Sequence, residues 1–227
     1  LLEKRFKLEK SDYYQINELL RKLYLPVPAI LEDFSRQGAL YLQDLGDTHL
    51  TDLVRDCGDD TVMIEELYRQ AIDHVITMQT RADAYADGIN AFKRAFDEKK
   101  LMWELDFMMK HFARSFADWQ PEGAAKKTLE TFFNELVAQI VALPRVFCHR
   151  DYHSRNLMLW NEQLFIIDFQ DARMGPHLYD IVSLLGDSYV DLGPELRAKL
   201  LQYYAEQHPY WKGKDLRTVQ EQYSLVA

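Results

Sequence analysis

His149-Arg150-Asp151-Tyr152-His153-Ser154-Arg155-Asn156, followed by Asp168-Phe169-Gln170-Asp171, is the densest run of reactive side chains in the chain. Between its halves, Asn156-Leu157-Met158-Leu159-Trp160 and Leu164-Phe165-Ile166-Ile167 are apolar and β-prone, and they flank the polar Asn161-Glu162-Gln163. That pattern predicts a hairpin. With Glu162 at the centre of the turn, Asn156 and Asp168 stand opposite each other at the open end, where directly paired side chains have Cβ atoms about 4.5 to 5.5 Å apart. An amide oxygen and a carboxylate at that separation suit one hard cation, since Mg²⁺ takes oxygen ligands and keeps several waters. Asp151 follows the apolar strand Arg145-Val146-Phe147-Cys148, and a short loop would return it to the same mouth, free to act as a base.

A different chemistry is open to the same residues. His149, Asp151 and His153 alternate, and on a strand they would face one side as three zinc ligands. That arrangement needs the strand to persist where the composition turns polar, and it leaves Asn156 and Asp168 without a purpose.

Outward from this stretch, the chain is helical on both sides. The apolar positions Ile16, Leu19, Leu20 and Leu23 predict a helix over Ser11 to Tyr24, ended by Pro26-Val27-Pro28. Ala29 to Phe34 and Ala39 to Gln43 predict a hairpin around Ser35-Arg36-Gln37-Gly38, followed by the polar break Gln43-Asp44-Leu45-Gly46-Asp47. Three helices are then expected: from Asp60 or Thr61 to about Met78, from about Asp97 to Phe116, and from about Glu122 to Leu143. After the central hairpin, helices are expected over His177 to Val190, Pro194 to Gln207 and from Leu216 onward. The Met and aromatic stripes on these helices read as core.

Composition narrows the partners. The 227 residues are 48% hydrophobic, enough for a sizeable core, and no apolar run approaches a membrane span. Thirty-six acidic against 27 basic side chains give a net charge of −9, which disfavours nucleic acid and anionic lipid. Cys57 and Cys148 are too few for a disulfide framework, so a reducing, cytoplasmic setting and packing roles are expected.

The spacing His-Arg-Asp, four residues, Asn, then a hairpin and Asp-Phe resembles the catalytic loop and metal-binding pair of kinases. Gln170 replaces the glycine that a protein kinase would carry, and no Ala-Pro-Glu follows. Instead Asp168-Phe169-Gln170-Asp171-Ala172-Arg173-Met174-Gly175-Pro176 runs straight to Tyr179-Asp180-Ile181-Val182. This resembles the aminoglycoside phosphotransferase and choline kinase-like family of small-molecule kinases. Together with Gln43-Asp44-Leu45-Gly46-Asp47, it looks most like the bacterial anomeric amino-sugar kinases, which phosphorylate N-acetylmuramate and N-acetylglucosamine at the C1 hydroxyl in cell-wall recycling.

The resemblance implies an α+β protein-kinase-like fold with ATP and Mg²⁺ as cofactors and a small sugar or amino sugar as substrate. It implies a remnant of a small β N-lobe and hinge over 1–47 and a mostly helical catalytic C-lobe over 48–227. Asp151 would be the catalytic base, Asn156 and Asp168 the Mg²⁺ ligands, and Gln43, Asp44 and Leu45 the adenine-binding hinge. Asp180 would brace the catalytic loop from inside, with His149 as a further structural support. His153, Arg155, Glu104 and Asp106 are candidates for substrate contact, and Asp171 for a place behind the metal. An aminoglycoside or choline-like acceptor, or a non-catalytic binding module, are the alternatives. The chain contains no Gly-x-Gly, and Lys4, Lys7, Lys10 and Glu18 are only nominal candidates for the family's lysine and its glutamate partner. The expectation is therefore a catalytic lobe with its hinge, cut short at both ends and weak in nucleotide binding by itself.

Overall fold

The computed structural model describes residues 5–58 and 60–227. Helix α1 (Asp12–Lys22) starts where the Ser11 hydroxyl accepts from the Tyr14 N–H at 3.1 Å, one of the first-turn donors that a helix cannot satisfy internally. Strands β1 (Ile30–Phe34) and β2 (Ala39–Leu42) form the expected first hairpin, with Gly38 at φ 82°. Helices α2 (Leu50–Cys57), α3 (Thr61–Arg81), α4 (Glu98–Met108) and α5 (Gly123–Val141) follow. Then come β3 (Arg145–Cys148), β4 (Leu157–Trp160), β5 (Gln163–Ile166) and β6 (Arg173–Pro176), and finally α6 (Tyr179–Leu185), α7 (Gly193–Gln207) and α8 (Leu216–Val226). Among the described residues the strands pair as β1–β2, β3–β6 and β4–β5, all antiparallel. No helix among them is long and apolar enough to cross a membrane.

Helix α3 is the spine of the core. Tyr68, Ala71, Ile72, Val75 and Met78 repeat at helical spacing and are fully buried against Phe147, Tyr152, Leu164, Leu184, Leu200 and Tyr204. The buried face of α1, formed by Ile16, Leu19 and Leu20, belongs to the same cluster. Cys148 is buried and Cys57 partly so, both as free thiols.

Several elements differ from the sequence reading. Helix α2, between the polar break at residues 43–47 and the first expected long helix, was not anticipated: Leu50, Leu53 and Val54 touch the core, but Thr51, Asp52, Arg55 and Asp56 mask their spacing. Strand β6 lies in a segment read as a link, because its ladder partners in β3 are 25 to 31 residues earlier and no local pattern announces it. The second helix ends as α at Met108 and continues to Arg114 as a π turn, and α6 stops at Leu185 where a helix to Val190 was expected.

The central hairpin carries the correction that matters most for the site. Its turn has two residues, Asn161 at φ 47° and Glu162 at φ 62°, and both positive φ values suit the tight turn that matches strand twist. The pairing is therefore Leu157–Ile166 and Trp160–Gln163, one residue out of step with a turn centred on Glu162. Asn156 faces Ile167, whose N–H donates to the Asn156 carbonyl at 3.1 Å, and Asp168 comes one residue later.

Candidate active site

The buried end of β3 delivers the chain to a carboxylate. The main-chain N–H groups of His149 and Arg150 donate to the two oxygens of Asp180, at 2.8 and 3.0 Å. Asp180 is fully buried at the start of α6, and burial pushes its carboxyl up to about 7 against the downward pull of those two donors. This clamp holds Arg150 at φ 88°, a conformation that costs of order 1–3 kcal/mol in a non-glycine residue and persists only where its surroundings impose it.

The rest of the loop is tied down side chain by side chain. The His149 ring is buried, its pKa lowered by burial to about 4, so it stays neutral and its Nε2–H donates to the Ile167 carbonyl at 2.9 Å. Through that bond β3 is joined to the residue just before Asp168. The Tyr152 hydroxyl donates to the Ala71 carbonyl of α3 at 2.8 Å. The Ser154 N–H donates to Asp187 Oδ2 at 2.9 Å, its hydroxyl bonds the same oxygen, and Thr51 Oγ1 of α2 lies 2.6 Å from that hydroxyl. With these anchors in place, Asp151 remains the open carboxylate of the loop, its side chain 44% exposed and 3.7 Å from Arg150, which is itself 3.1 Å from Asp171.

Asn156 and Asp168 offer oxygen to a cation. The Asn156 amide nitrogen donates to the Asp151 carbonyl at 2.8 Å, which turns the amide oxygen away from the loop. Asp168, at φ 61°, accepts from the Gln170 side chain at 2.6 Å through one oxygen and keeps the other. An amide oxygen and a carboxylate fit a hard divalent ion such as Mg²⁺. The zinc arrangement does not form: the His149 ring is committed to Ile167, and the described residues contain no group of three His, Cys, Asp or Glu placed to hold a metal.

The hinge candidates lie between the first hairpin and the central one. The Gln43 N–H donates to the Ala29 carbonyl at 2.8 Å, and its side chain accepts from the Ala29 N–H. The Asp44 carboxylate accepts from the Gly46 N–H at 2.9 Å, so both polar side chains serve the local backbone. Leu45 packs with Met158 and Phe165, with Ile167 against them, in a small apolar cluster beside Asn156 and Asp168.

The substrate candidates divide. Glu104 of α4 pairs with Lys100 at 3.1 Å, and its charge reaches Tyr179 and Arg173; burial first, then Glu104, Asp180 and Asp151, pushes the Tyr179 hydroxyl pKa up. Asp106, two residues on and so about 200° around the helix, instead lines a separate cavity of about 360 Å³ with Lys110, Arg114, Trp119 and Phe133. His153 lies 3.4 Å from the Asn156 amide nitrogen, and its ring and the Arg155 guanidinium both rest against Tyr189. Glu18 pairs with Arg21 at 3.6 Å, and Lys7 and Lys10 are exposed near the start of α1. Residues 5–8 form no strand, and Lys4 lies outside the described residues. Sequence reasoning missed Thr51, Asp187, Arg173 and Phe96, none of which belongs to a local pattern.

The profile of the phosphotransferase enzyme family matches residues 3–215. The N-acetylmuramate/N-acetylglucosamine kinase of Pseudomonas aeruginosa is 32% identical, over 88% of this chain and 54% of its own length. That of Neisseria meningitidis serogroup B is 30% identical, over 88% and 57%. The chain thus spans about half the length of these curated relatives. Among solved structures, the gentamicin complex of APH(2")-IIa superposes with a TM-score of 0.65 at 15% identity, covering 95% of this chain and 70% of that one. ADP-bound aminoglycoside phosphotransferase APH(2'')-Ib gives 0.62 at 16% identity, covering 93% and 70%. The fold is the α+β, protein-kinase-like fold of the aminoglycoside phosphotransferases, with small sheets on a mostly helical body.

Proposed function

This chain belongs to the phosphotransferase enzyme family, and on that premise we propose that the protein transfers the γ-phosphoryl group of ATP to the C1 hydroxyl of an amino sugar, N-acetylmuramate or N-acetylglucosamine. The observation that carries the reading is the loop geometry: Asp151 is the open carboxylate in a loop otherwise clamped by Asp180, Tyr152 and Ser154, and its carbonyl orients the Asn156 amide. Placement of the acceptor and stabilisation of charge are most of what phosphoryl transfer asks of a protein.

Asp151 accepts the proton of the attacking hydroxyl as the bond from the sugar oxygen to the γ-phosphorus forms and the bond to the β,γ-bridging oxygen breaks, leaving ADP. Asn156 and Asp168 would hold Mg²⁺, which when bound would neutralise charge on the phosphates. Asp180 and His149 keep the loop in shape, the first through the two N–H groups before Asp151 and the second through Ile167. Leu45 and Met158, with Phe165, form a small apolar cluster on which an adenine ring would rest. The amino sugar is favoured over an aminoglycoside because the curated relatives act on it at about twice the identity of the aminoglycoside enzymes.

The test is sugar-dependent ADP release by the full-length protein. Asp151→Asn should lower kcat roughly 10²- to 10⁴-fold, the usual worth of a positioned general base. Unchanged turnover would remove Asp151 from the chemistry. Product NMR locating phosphate on a hydroxyl other than C1, or turnover with aminoglycosides alone, would overturn the acceptor.

A further inference from the structure

We propose that Arg173 is the anion-recognising residue of the acceptor site, and that its ligand is the carboxylate of an acidic amino sugar. The proposal rests on the sugar-kinase reading above. Arg173 opens β6 and is paired in the ladder with Cys148, the residue immediately before His149-Arg150-Asp151, so its backbone lies one ladder rung from the start of the catalytic loop.

Three guanidinium groups gather here, and their partners differ. Arg94 binds Asp12 at 2.9 Å, and Arg150 binds Asp171 at 3.1 Å. Arg173 donates through Nε to the Asp171 main-chain carbonyl at 3.3 Å, and no carboxylate of the described residues lies within 4 Å of it. Its terminal nitrogens, the pair that meets a carboxylate side by side, are left for a ligand. Burial, and then the fields of Arg150 and Arg94, lower its pKa, so an arriving anion would relieve a charge that the protein has left partly uncompensated.

The group is also held in place. Its Cζ sits 5.2 Å from the centre of the Phe96 ring, and Phe96 is stacked on Tyr179 with centroids 4.2 Å apart. Gly175 makes that platform possible: a Cβ there would come within 2.8 Å of the Phe96 ring and 3.0 Å of Cys148 Sγ. A guanidinium held over an aromatic ring has less freedom to lose on binding.

The surroundings favour an acceptor carboxylate over the transferred phosphoryl group. The charges Arg173 feels are those of Arg150, Arg94, Asp171 and Glu104, a set that runs from the loop around Asp151 to Glu104 on α4 and includes neither Asn156 nor Asp168. Glu104 is paired with Lys100, which reduces its repulsion of a second anion. Lactyl-bearing muramic acid carries a carboxylate and glucosamine does not, so Arg173 would separate the two sugars.

Steady-state kinetics of the full-length protein on N-acetylmuramate and N-acetylglucosamine tests this. Arg173→Gln should raise KM for N-acetylmuramate about 10- to 100-fold, the worth of a hydrogen-bonded charge pair, while kcat on either sugar and KM for N-acetylglucosamine stay within about threefold; Arg173→Lys should recover part of the loss. Equal losses on both sugars would assign Arg173 to the phosphoryl group or to the fold and overturn the proposal. A second arm needs no variant: the carboxamide of N-acetylmuramate should show the same rise in KM on the unaltered protein, and an unchanged KM overturns the proposal. Turnover of neither sugar by the unaltered protein would instead bring down the sugar-kinase reading, and this proposal with it.

Discussion

The loop around Asp151 and the α4–α5 hairpin are built in opposite ways. In the loop, His149, Tyr152 and Ser154 are fully buried within six residues, and each is bonded to a different element. Across α4, the π turn and α5, the buried residues are Leu101, Ala113, Phe133 and Val137, while Trp103, Phe107, Phe112, Phe116 and Phe132 are more than half exposed. Those rings stack on one another, Trp103 on Phe107 at 5.5 Å and Phe112 on Phe116 at 5.6 Å, rather than on the body. The contrast teaches that the loop around Asp151 is over-determined by packing, whereas the α4–α5 face is held by few contacts and can vary without endangering the fold.

The sharpest way to break that contrast is Asp180→Ala. It strands two buried N–H groups and releases Arg150 from its positive φ, so a loss of about 2–5 kcal/mol in urea unfolding is expected, together with loss of phosphoryl transfer. A mutant as stable as the parent would mean that the loop is held from elsewhere. Acid titration comes next. Burial lowers His74, His149, His177 and His208 each to about 4, from an ordinary value near 6.5. The unfolded chain therefore binds more protons between those values, and the stability these residues contribute is present above about pH 6.5 and lost as pH falls toward 4.

Asp180 has the opposite sign. With its carboxyl raised to about 7, its contribution is present below about pH 4 and lost as pH rises through 7. Four groups outweigh one, so the urea midpoint should climb from pH 4 to 6.5, and Asp180→Asn should make the climb steeper. A flat profile would contradict the burial of the four rings, all of which lie in the body rather than in α4–α5.

Smaller effects separate the two regions further. Ser154→Ala removes the hydroxyl between Thr51 and Asp187 and should cost about 1–2 kcal/mol, read by the same urea midpoint. Phe116→Ser, at a ring 81% exposed, should change stability by no more than about 0.5 kcal/mol. A loss as large as that of Ser154→Ala would show that the aromatic stack supports the fold after all.

The legible parts of the molecule were the local ones. Apolar spacing located α1, α3, α5 and α7, and the proline after Tyr24 and the polar turn after Trp160 marked real breaks. Helix α2 escaped because its few apolar residues gain meaning only when Thr51 meets Ser154, 103 residues away. The hairpin was recognised but its register was not, since Asn161-Glu162 and Asn161-Glu162-Gln163 are both acceptable polar turns and the choice rests on backbone φ. The Met and aromatic stripe of α4 read as core, yet Trp103 and Phe107 face outward, because helical spacing marks a shared face without saying what covers it.

By itself, then, the sequence determined that Asp151, Asn156 and Asp168 meet at the open end of one hairpin, because they lie within 18 residues. It also determined the fold class, through the order of a β hairpin, helices and a polar hairpin. Only the tertiary structure decided which distant side chains gather around Tyr179 and Arg173. Glu104 turns toward Tyr179 and Arg173 while Asp106 turns away, and Phe96, brought in by a main-chain bond to Met174, becomes the platform under Arg173. The physical reason is separation along the chain: periodicity and turn chemistry act over a few residues, whereas the contacts around Arg173 join β6 to residues 69 to 80 positions earlier, a closure settled by packing of the whole core.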